Sequence, residues 1–345
     1  MSNIEWTDES FQTQTGCSRV SPGCGGARGV GGCYAEVMAK RLVAMGAYPA
    51  DVIRPGGGWS GKVTPRPDWL AKPLSWRKPR RIFVNSMSDT FHESVPNEYI
   101  AALFGVMAAC PQHTFQVLTK RPERMADWFA WLGTRTVPKS SASGPRLAMA
   151  WEAHRAGAPL PEVYVNEPGW QRTADGPWPL PNVWIGTSVE SQAAADERIP
   201  HLLRCPAAVR FVSAEPLLGP VDLSRWLRPQ AAFFAVMDTV CGNILGRPVG
   251  PTTPPLPDPS GLSWIIVGGE SGPGARPCDV AWLRSIVRQC REAGTACFVK
   301  QLGAVPFETF APGCDRFLTL RDRKGGDPSE WPEDLRVREF PGGAP

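Results

Sequence analysis

The sequence predicts an α/β protein with a parallel sheet, folded as a partial or full TIM-like (β/α) barrel. Six short runs are continuously apolar and end in polar residues or glycine, which is typical of strands buried on both faces of a parallel sheet. Helical stretches lie between most of them, and this alternation favours a right-handed parallel fold. The six runs are residues 81–89, 114–122, 182–190, 209–216, 263–271 and 296–303.

Four helices are predicted between or after these strands. Pro122 stands in the first turn of the second helix, where its missing N–H costs nothing. Gly294 follows the fourth helix as a C-terminal cap. The helices are expected over residues 95–110, 121–132, 191–205 and 279–294.

Two segments interrupt the alternation of strand and helix. Residues 133–181 and 224–262 are rich in Pro, Gly, Ser and Ala, so we expect them to be insertions at loops. Residues 151–156 could add a short helix to the first insertion. The expected organisation is one barrel domain over residues 1–330, followed by a peripheral tail at 331–345.

The composition is that of an ordinary globular protein, with 42% hydrophobic and 20% charged residues. The net charge of +4 permits a nucleic-acid partner without arguing for one. The first ten residues show no signal-peptide pattern, and no apolar run approaches the roughly 18 residues of a membrane helix. We therefore expect a cytoplasmic protein with no membrane partner, whose clustered cysteines bind metal or catalyse rather than form disulfides.

Polar and charged side chains follow several predicted strands. Because the carboxyl ends of parallel strands meet at one mouth, these residues form a candidate binding site. The alternative is that they pair with one another and cap helices. The candidates are Asp89, His92, Lys120, Arg121, Ser188, Glu190, Glu215, Glu270, Ser271, Lys300 and Gln301.

Three cysteines, Cys17, Cys24 and Cys33, stand close together near the start of the chain. Neither interval is the C-x2-C spacing typical of zinc sites, and a zinc site would need a fourth ligand, for which His92 is the candidate. Three thiolates alone suit a [4Fe-4S] cluster with one iron open to a substrate or cofactor. Unliganded structural cysteines are the third possibility. Four others, in apolar contexts, are expected in the core: Cys110, Cys205, Cys290 and Cys297.

Long motifs resemble a phage-associated family of three-cysteine proteins of unknown function. They begin with IEWTDESFQTQTGCSRVSPGC and continue, in order, through NSMSDTFHESVP, TFQVLTKRPERM, VWIGTSVESQAAADERIPHLL, FVSAEPLLGPVDL, WIIVGGESGPGARP and FVKQLG. They cover nearly the whole chain apart from the two insertions and the tail. That family looks like a distant relative of radical S-adenosylmethionine enzymes, among which spore photoproduct lyase is an example.

The resemblance implies a (β/α) barrel in which Cys17, Cys24 and Cys33 bind a [4Fe-4S] cluster. Its open iron would bind S-adenosyl-L-methionine, and one electron from a reducing electron donor would cleave the sulfonium to give a 5′-deoxyadenosyl radical. The resemblance also implies that Ser188 and Glu190 contact this cofactor.

Two features depart from the pattern of these families. Eight residues separate Cys24 from Cys33 where the three-cysteine family has two, and the Gly-rich excess GGARGV could loop out at a cost of about 1 kcal/mol. The Gly-Gly-Glu turn that radical S-adenosylmethionine enzymes carry soon after their cysteines occurs here on a late strand, at residues 268–270. Asp89 could instead take the role of binding the amino group.

The leading hypothesis is a radical S-adenosylmethionine-like iron–sulfur enzyme acting on a nucleic-acid base or nucleotide. The basic runs at 76–81 and 119–124 suggest nucleic acid, although either could be a solvated face. The alternative is a non-catalytic, zinc-binding phage or prophage protein that binds nucleic acid or a protein partner. The candidate catalytic residues are Asp89, His92, Lys120 and Glu215, and the candidate cofactor-binding residues are Ser188, Glu190, Glu270 and Lys300.

Overall fold

The computed structural model describes residues 4–25, 32–135, 144–159, 177–227, 261–311 and 313–343. Its α-helices are α1 (Tyr34–Ala44), α2 (Asn97–Ala108), α3 (Pro122–Gly133), α4 (Pro145–Arg155), α5 (Gln192–Leu203) and α6 (Val280–Ala293). Its strands are β1 (Glu9–Phe11), β2 (Gln14–Thr15), β3 (Thr64–Pro65), β4 (Arg81–Val84), β5 (Thr114–Thr119), β6 (Val183–Ser188), β7 (Val209–Ala214), β8 (Trp264–Gly268), β9 (Cys278–Asp279), β10 (Ala296–Gln301), β11 (Pro306–Ala311) and β12 (Cys314–Phe317).

Seven of the strands form one sheet in the order β1-β4-β5-β6-β7-β8-β10, which makes a half-barrel. Each neighbouring pair in it is parallel. The prediction of a parallel α/β fold with a partial barrel is confirmed. Among the described residues the sheet ends at β1 and β10, so the barrel does not close into the full form.

Side chains on each strand alternate between two apolar layers, as the pleat requires. One set packs in the main core together with residues of the helices; its strand members include Ile82, Val84, Val117, Ile185, Val212, Ile265 and Val299. The other set forms an aromatic cluster on the opposite face of the sheet, with Trp6, Phe83, Phe211, Trp264 and Phe298. Both faces are therefore buried, and this explains why the strands are continuously apolar in sequence.

The six predicted strands and four predicted helices all occur, with ends displaced by a few residues. Side chains at the starts of two helices explain their boundaries. Ser191 and Asp279 cap α5 and α6 by accepting hydrogen bonds from the N–H groups of Ala194 and Ala281. Gly294 ends α6 in the left-handed conformation, with φ of 66°, as predicted.

The first predicted insertion contains α4, which extends the expected short helix. It packs along α2 at a close approach that depends on Gly105. A Cβ atom at this position would lie 2.3 Å from the Met149 carbonyl oxygen, so a larger residue would push the two helices apart. Nearly all of the second insertion, 228–260, lies outside the described residues.

The segment after residue 330, predicted as a peripheral tail, contacts both apolar layers. Trp331 and Leu335 are buried in the main core. The ring of Phe340 lies 5.3 Å from that of Trp264 in the aromatic cluster. No α-helix in the described part of the chain is long and apolar enough to cross a membrane.

Candidate functional site

The three cysteines lie at the carboxyl end of the half-barrel, on described residues 16–25 and 32–33, here called the cysteine loop. Cys17 follows β2, Cys24 ends a short 3-10 turn, and Cys33 caps the start of α1. All three are free thiols that are partly exposed. Cys17 and Cys33 pack against the same apolar cluster, which includes Met87.

The pKa of Cys17 depends on its burial and on the charges of the groups around it. Burial raises the pKa of Cys17 to about 12, and the charges of Asp89, Cys33 and Cys24 add to this effect, whereas that of Arg121 opposes it. The thiolate is the form that binds metals, so loading this site would release protons. The assignment of Cys17, Cys24 and Cys33 as a shared ligand set stays a prediction.

Asp89 and Arg121 anchor the loop just after Cys17. The Asp89 carboxylate accepts hydrogen bonds from Thr119 Oγ1 at 2.7 Å and from Arg121 Nη1 at 3.0 Å. The Arg121 side chain also donates to Ser18 Oγ, at 2.7 Å. Asp89 is buried and committed to these partners, so its observed role is to hold Arg121 against the cysteine loop.

His92 contacts the same point of the loop. Its Nε2 atom lies 2.8 Å from Ser18 Oγ, and its Nδ1 atom accepts the backbone N–H of Ser94 at 3.2 Å. Burial lowers the pKa of His92, and the positive charge of Arg121 lowers it further. The ring is therefore neutral at pH 7, with Nε2–H donating to Ser18 because Nδ1 is the acceptor.

Glu190 and Arg198 form a buried ion pair beneath the middle of the loop. Arg198 Nη1 lies 2.9 Å from Glu190 Oε2. Burial raises the pKa of Glu190, but the nearby Ser21 hydroxyl and the hydrogen bonds and charge of Arg198 outweigh it, so the pKa is lowered overall. The carboxylate packs against Gly23, where an added Cβ would lie 2.9 Å from Oε2.

Glu270 holds the end of the loop. Its carboxylate accepts the backbone N–H of Gly32 at 3.0 Å and pairs with Arg276 Nε at 2.7 Å. Arg276 in turn donates to the carbonyl oxygen of Pro22 at 2.8 Å. The loop is thus fixed at both ends by side chains that follow β4, β5 and β8.

Four more of the predicted residues lie at the carboxyl ends of strands. Lys120 and Glu215 directly follow β5 and β7, Ser188 is the last residue of β6, and Lys300 is near the end of β10. Lys300 Nζ lies 3.2 Å from Glu215 Oε1. The charge of Lys120 contributes to the lowered pKa of Glu190, so this lysine lies near the loop as well.

A single metal ion has a stricter geometric requirement than a cluster. Among the described residues, no three His, Cys, Asp or Glu side chains are close enough together to hold one ion. Tetrahedral zinc places its thiolate sulfurs about 3.8 Å apart. The thiolates of a [4Fe-4S] cluster bind separate irons and stand further apart, so the two groups make different demands on this loop.

The arginines that complete these ion pairs were the principal omission from the predicted site. Arg121 is among the predicted residues, whereas Arg198 and Arg276 are not. Arg198 lies on the buried side of α5, where an unpaired guanidinium would be very costly. An arginine on the apolar side of a helix therefore indicates that an acidic residue, here Glu190, lies close enough to pair with it.

The two basic runs lie at opposite ends of the half-barrel. The run at 76–81 precedes β4, and there Arg80 and Arg81 pair with Glu9 and Asp8. The run at 119–124 follows β5 and reaches the mouth. Only the second is therefore close to the cysteine loop.

A family model described as a protein of unknown function (DUF5131) matches residues 1–323. No curated protein and no solved structure matches the chain.

Proposed function

The chain belongs to the DUF5131 family of proteins of unknown function, and we propose that it is an iron–sulfur enzyme of the radical S-adenosylmethionine type. One observation carries the proposal: three free, partly exposed thiols lie between β2 and the start of α1, at the carboxyl end of a parallel half-barrel. Active sites of parallel α/β folds form at this end.

The donor set fits a [4Fe-4S] cluster on Cys17, Cys24 and Cys33. Three thiolates leave one iron without a protein ligand, and an apolar layer beside Cys17 and Cys33 limits access of water. Zinc fits less well, because both ring nitrogens of its candidate fourth ligand, His92, are engaged by Ser18 and Ser94.

Polar atoms beside the loop also support a bound ligand. Within the described part of the chain, the buried atoms Gln14 Oε1, Thr15 Oγ1 and Ser88 Oγ have no hydrogen-bond partner. An unsatisfied buried polar group costs about 1–3 kcal/mol, and a polar ligand in the mouth would recover this cost.

The residues of the chain divide into two roles. Asp89, His92, Glu190 and Glu270 position the cysteine loop through Arg121, Ser18, Arg198 and Arg276. Lys120, Ser188, Glu215 and Lys300, at the carboxyl ends of β5, β6, β7 and β10, bind the ligand.

A [4Fe-4S] cluster held by Cys17, Cys24 and Cys33 would supply the one-electron reduction that cleaves S-adenosyl-L-methionine for radical chemistry on a substrate. The basic run at 119–124 supports a nucleotide or nucleic-acid substrate, because it follows β5 and reaches the mouth. The run at 76–81 lies at the other end of the sheet and gives no such support. A phage or prophage origin is proposed from the sequence motifs alone.

The test is anaerobic reconstitution with iron and sulfide, followed by reduction in the presence of S-adenosyl-L-methionine. We expect about four irons per chain and release of 5′-deoxyadenosine. Single Cys→Ser changes at positions 17, 24 and 33 should each abolish both results. Cys110→Ser, in the core, is the matched control and should keep them. Stoichiometric zinc in the wild-type protein, without 5′-deoxyadenosine, would contradict the proposal.

A further inference from the structure

The helix that follows Cys33 presents its large apolar side chains to solvent. Among the described residues, seven large apolar side chains are exposed, and five of them lie on α1, its C-terminal cap or the cysteine loop. We call these five the α1 patch; they are Val20, Tyr34, Val37, Met38 and Met45.

The periodicity of α1 explains why its part of the patch is continuous. Tyr34, Val37, Met38 and Met45 fall at i, i+3, i+4 and i+11, which lie along one face of a helix. The opposite face buries Ala35, Glu36 and Ala39. The helix exposes Tyr34, Val37 and Met38, whereas Leu42 and Val43 pack partly against the neighbouring apolar cluster. Large apolar side chains grouped on one exposed face are typical of a surface that binds a partner.

Cations surround the patch. Arg41 is exposed between Met38 and Met45, and the side chains of Arg19 and Lys40 are 42% and 46% exposed. The one acid of α1, Glu36, is buried beneath them and contacts both Arg19 and Lys40. The patch is therefore an apolar surface with a basic rim, which is complementary to an acidic partner.

We propose that the α1 patch is the docking surface for a small, acidic, one-electron carrier protein. This inference rests on the proposed function, in which the site must be reduced by one electron. Electron transfer weakens steeply with distance, and Tyr34 at one end of the patch directly follows Cys33. A patch of five side chains also suits the small interfaces of transient redox encounters.

The test compares a carrier protein with a chemical reductant. The protein is reduced either by dithionite or by an acidic flavodoxin with its reductase, and release of 5′-deoxyadenosine is measured. Met45→Glu and Arg41→Glu should lower the flavodoxin-driven rate about tenfold at limiting carrier and leave the dithionite-driven rate unchanged. Phe310→Glu, an exposed aromatic residue on β11, is the matched control and should change neither rate.

Binding measured without turnover separates the two proposals. Titration calorimetry should detect oxidised flavodoxin binding to the wild-type chain, weakened by salt and by Arg41→Glu. If dithionite reduction releases no 5′-deoxyadenosine, the proposed function is overturned. Binding of oxidised flavodoxin would still support the docking surface in that case. The docking proposal is overturned if Met45→Glu and Arg41→Glu both keep the wild-type flavodoxin-driven rate and the wild-type affinity for flavodoxin.

Two other occupants give distinct results that would also overturn it. A wild-type dimer in analytical ultracentrifugation that Met45→Glu dissociates would make the patch an interface between two copies. Alternatively, a lowered thermal midpoint in Met45→Glu, absent in Phe310→Glu, would show that the chain itself covers the patch.

Discussion

The carboxylate of Glu270 accepts the backbone N–H of Gly32, with 3.0 Å between Oε1 and N. These residues are 238 positions apart, and Gly32 immediately precedes Cys33. The bond therefore fixes the third cysteine relative to the end of β8. Asp89 and Glu190 act on earlier parts of the same loop, so acids after three different strands position the thiols.

Replacing Glu270 with Gln should loosen the end of the cysteine loop. The change removes the charge that pairs with Arg276 and weakens the acceptor for Gly32. We expect the free energy of unfolding to fall by about 2 kcal/mol, and alkylation of Cys33 in the apo protein to accelerate several-fold. Urea unfolding and mass spectrometry after iodoacetamide labelling measure the two effects.

Glu308→Gln is the matched control for this change. Glu308 also accepts from two arginines, Arg284 and Arg316, but it lies on β11 and does not contact the cysteine loop. Its replacement should cost stability without changing the labelling of Cys33. Equal labelling of Cys33 in the two variants would show that Glu270 does not position the loop.

Gly23→Ala tests the middle of the loop by steric means. The added Cβ would lie 2.9 Å from the Glu190 carboxylate, which Arg198 holds in place, so the loop must shift. We expect a loss of about 1–3 kcal/mol in the free energy of unfolding and reduced iron loading. Gly32→Ala is the control, because an added Cβ there meets nothing within 4 Å. Two variants of equal stability and loading would contradict the steric account.

The sequence predicts the sheet well because continuous apolar runs and helix caps are local properties of the chain. It also brings the right acids to the mouth, since the carboxyl ends of parallel strands must meet. What it cannot supply is the pairing of each acid. The sequence predicts Glu190 and Glu270 as cofactor-binding residues, but it does not predict that their carboxylates pair with Arg198 and Arg276. Such pairings depend on side-chain packing between elements that no spacing rule specifies.

The half-barrel rather than a closed barrel is a second feature that the sequence left open. Alternating strands and helices fit either form, because each βα unit is locally the same. In the described part of the chain, β1 and β10 are the two edges of the sheet. β1 has only three residues, Glu9–Phe11, too short for a periodic pattern to identify it as an edge strand.

His92 should make stability depend on pH in the weakly acidic range. Burial first, and then the charge of Arg121, lower its pKa below 6.5, against the smaller opposing effects of Glu93 and Asp89. Below about pH 6.5 the unfolded chain therefore binds a proton that the folded chain does not, and the free energy of unfolding falls as pH decreases. His92→Gln should reduce this slope in urea unfolding between pH 7.5 and about 5.

His113→Gln serves as the comparison for His92. Burial also lowers the pKa of His113, which lies beside Trp76 rather than the cysteine loop. Its replacement should remove a separate part of the pH slope and leave the labelling of Cys17 as it is in the wild type. If His92→Gln keeps the wild-type dependence of the free energy of unfolding on pH, the lowered pKa of His92 is not the cause of that dependence.

Asp89→Asn should make Cys17 more reactive, and the effect can be assigned to charge. Burial is the main cause of the raised Cys17 pKa of about 12, and the Asp89 charge is the next. At pH 9 about one thiol in a thousand is then a thiolate, so removing that charge should raise the alkylation rate in the apo protein.

Glu93→Gln is the control, because Glu93 also pairs with Arg121 but is largely exposed. Brief labelling pulses at increasing pH give the midpoint of the rate profile, which should move below about 12 in Asp89→Asn and stay unchanged in Glu93→Gln. An equal shift in both variants would mean that Asp89 acts on Cys17 only by holding Arg121 in place.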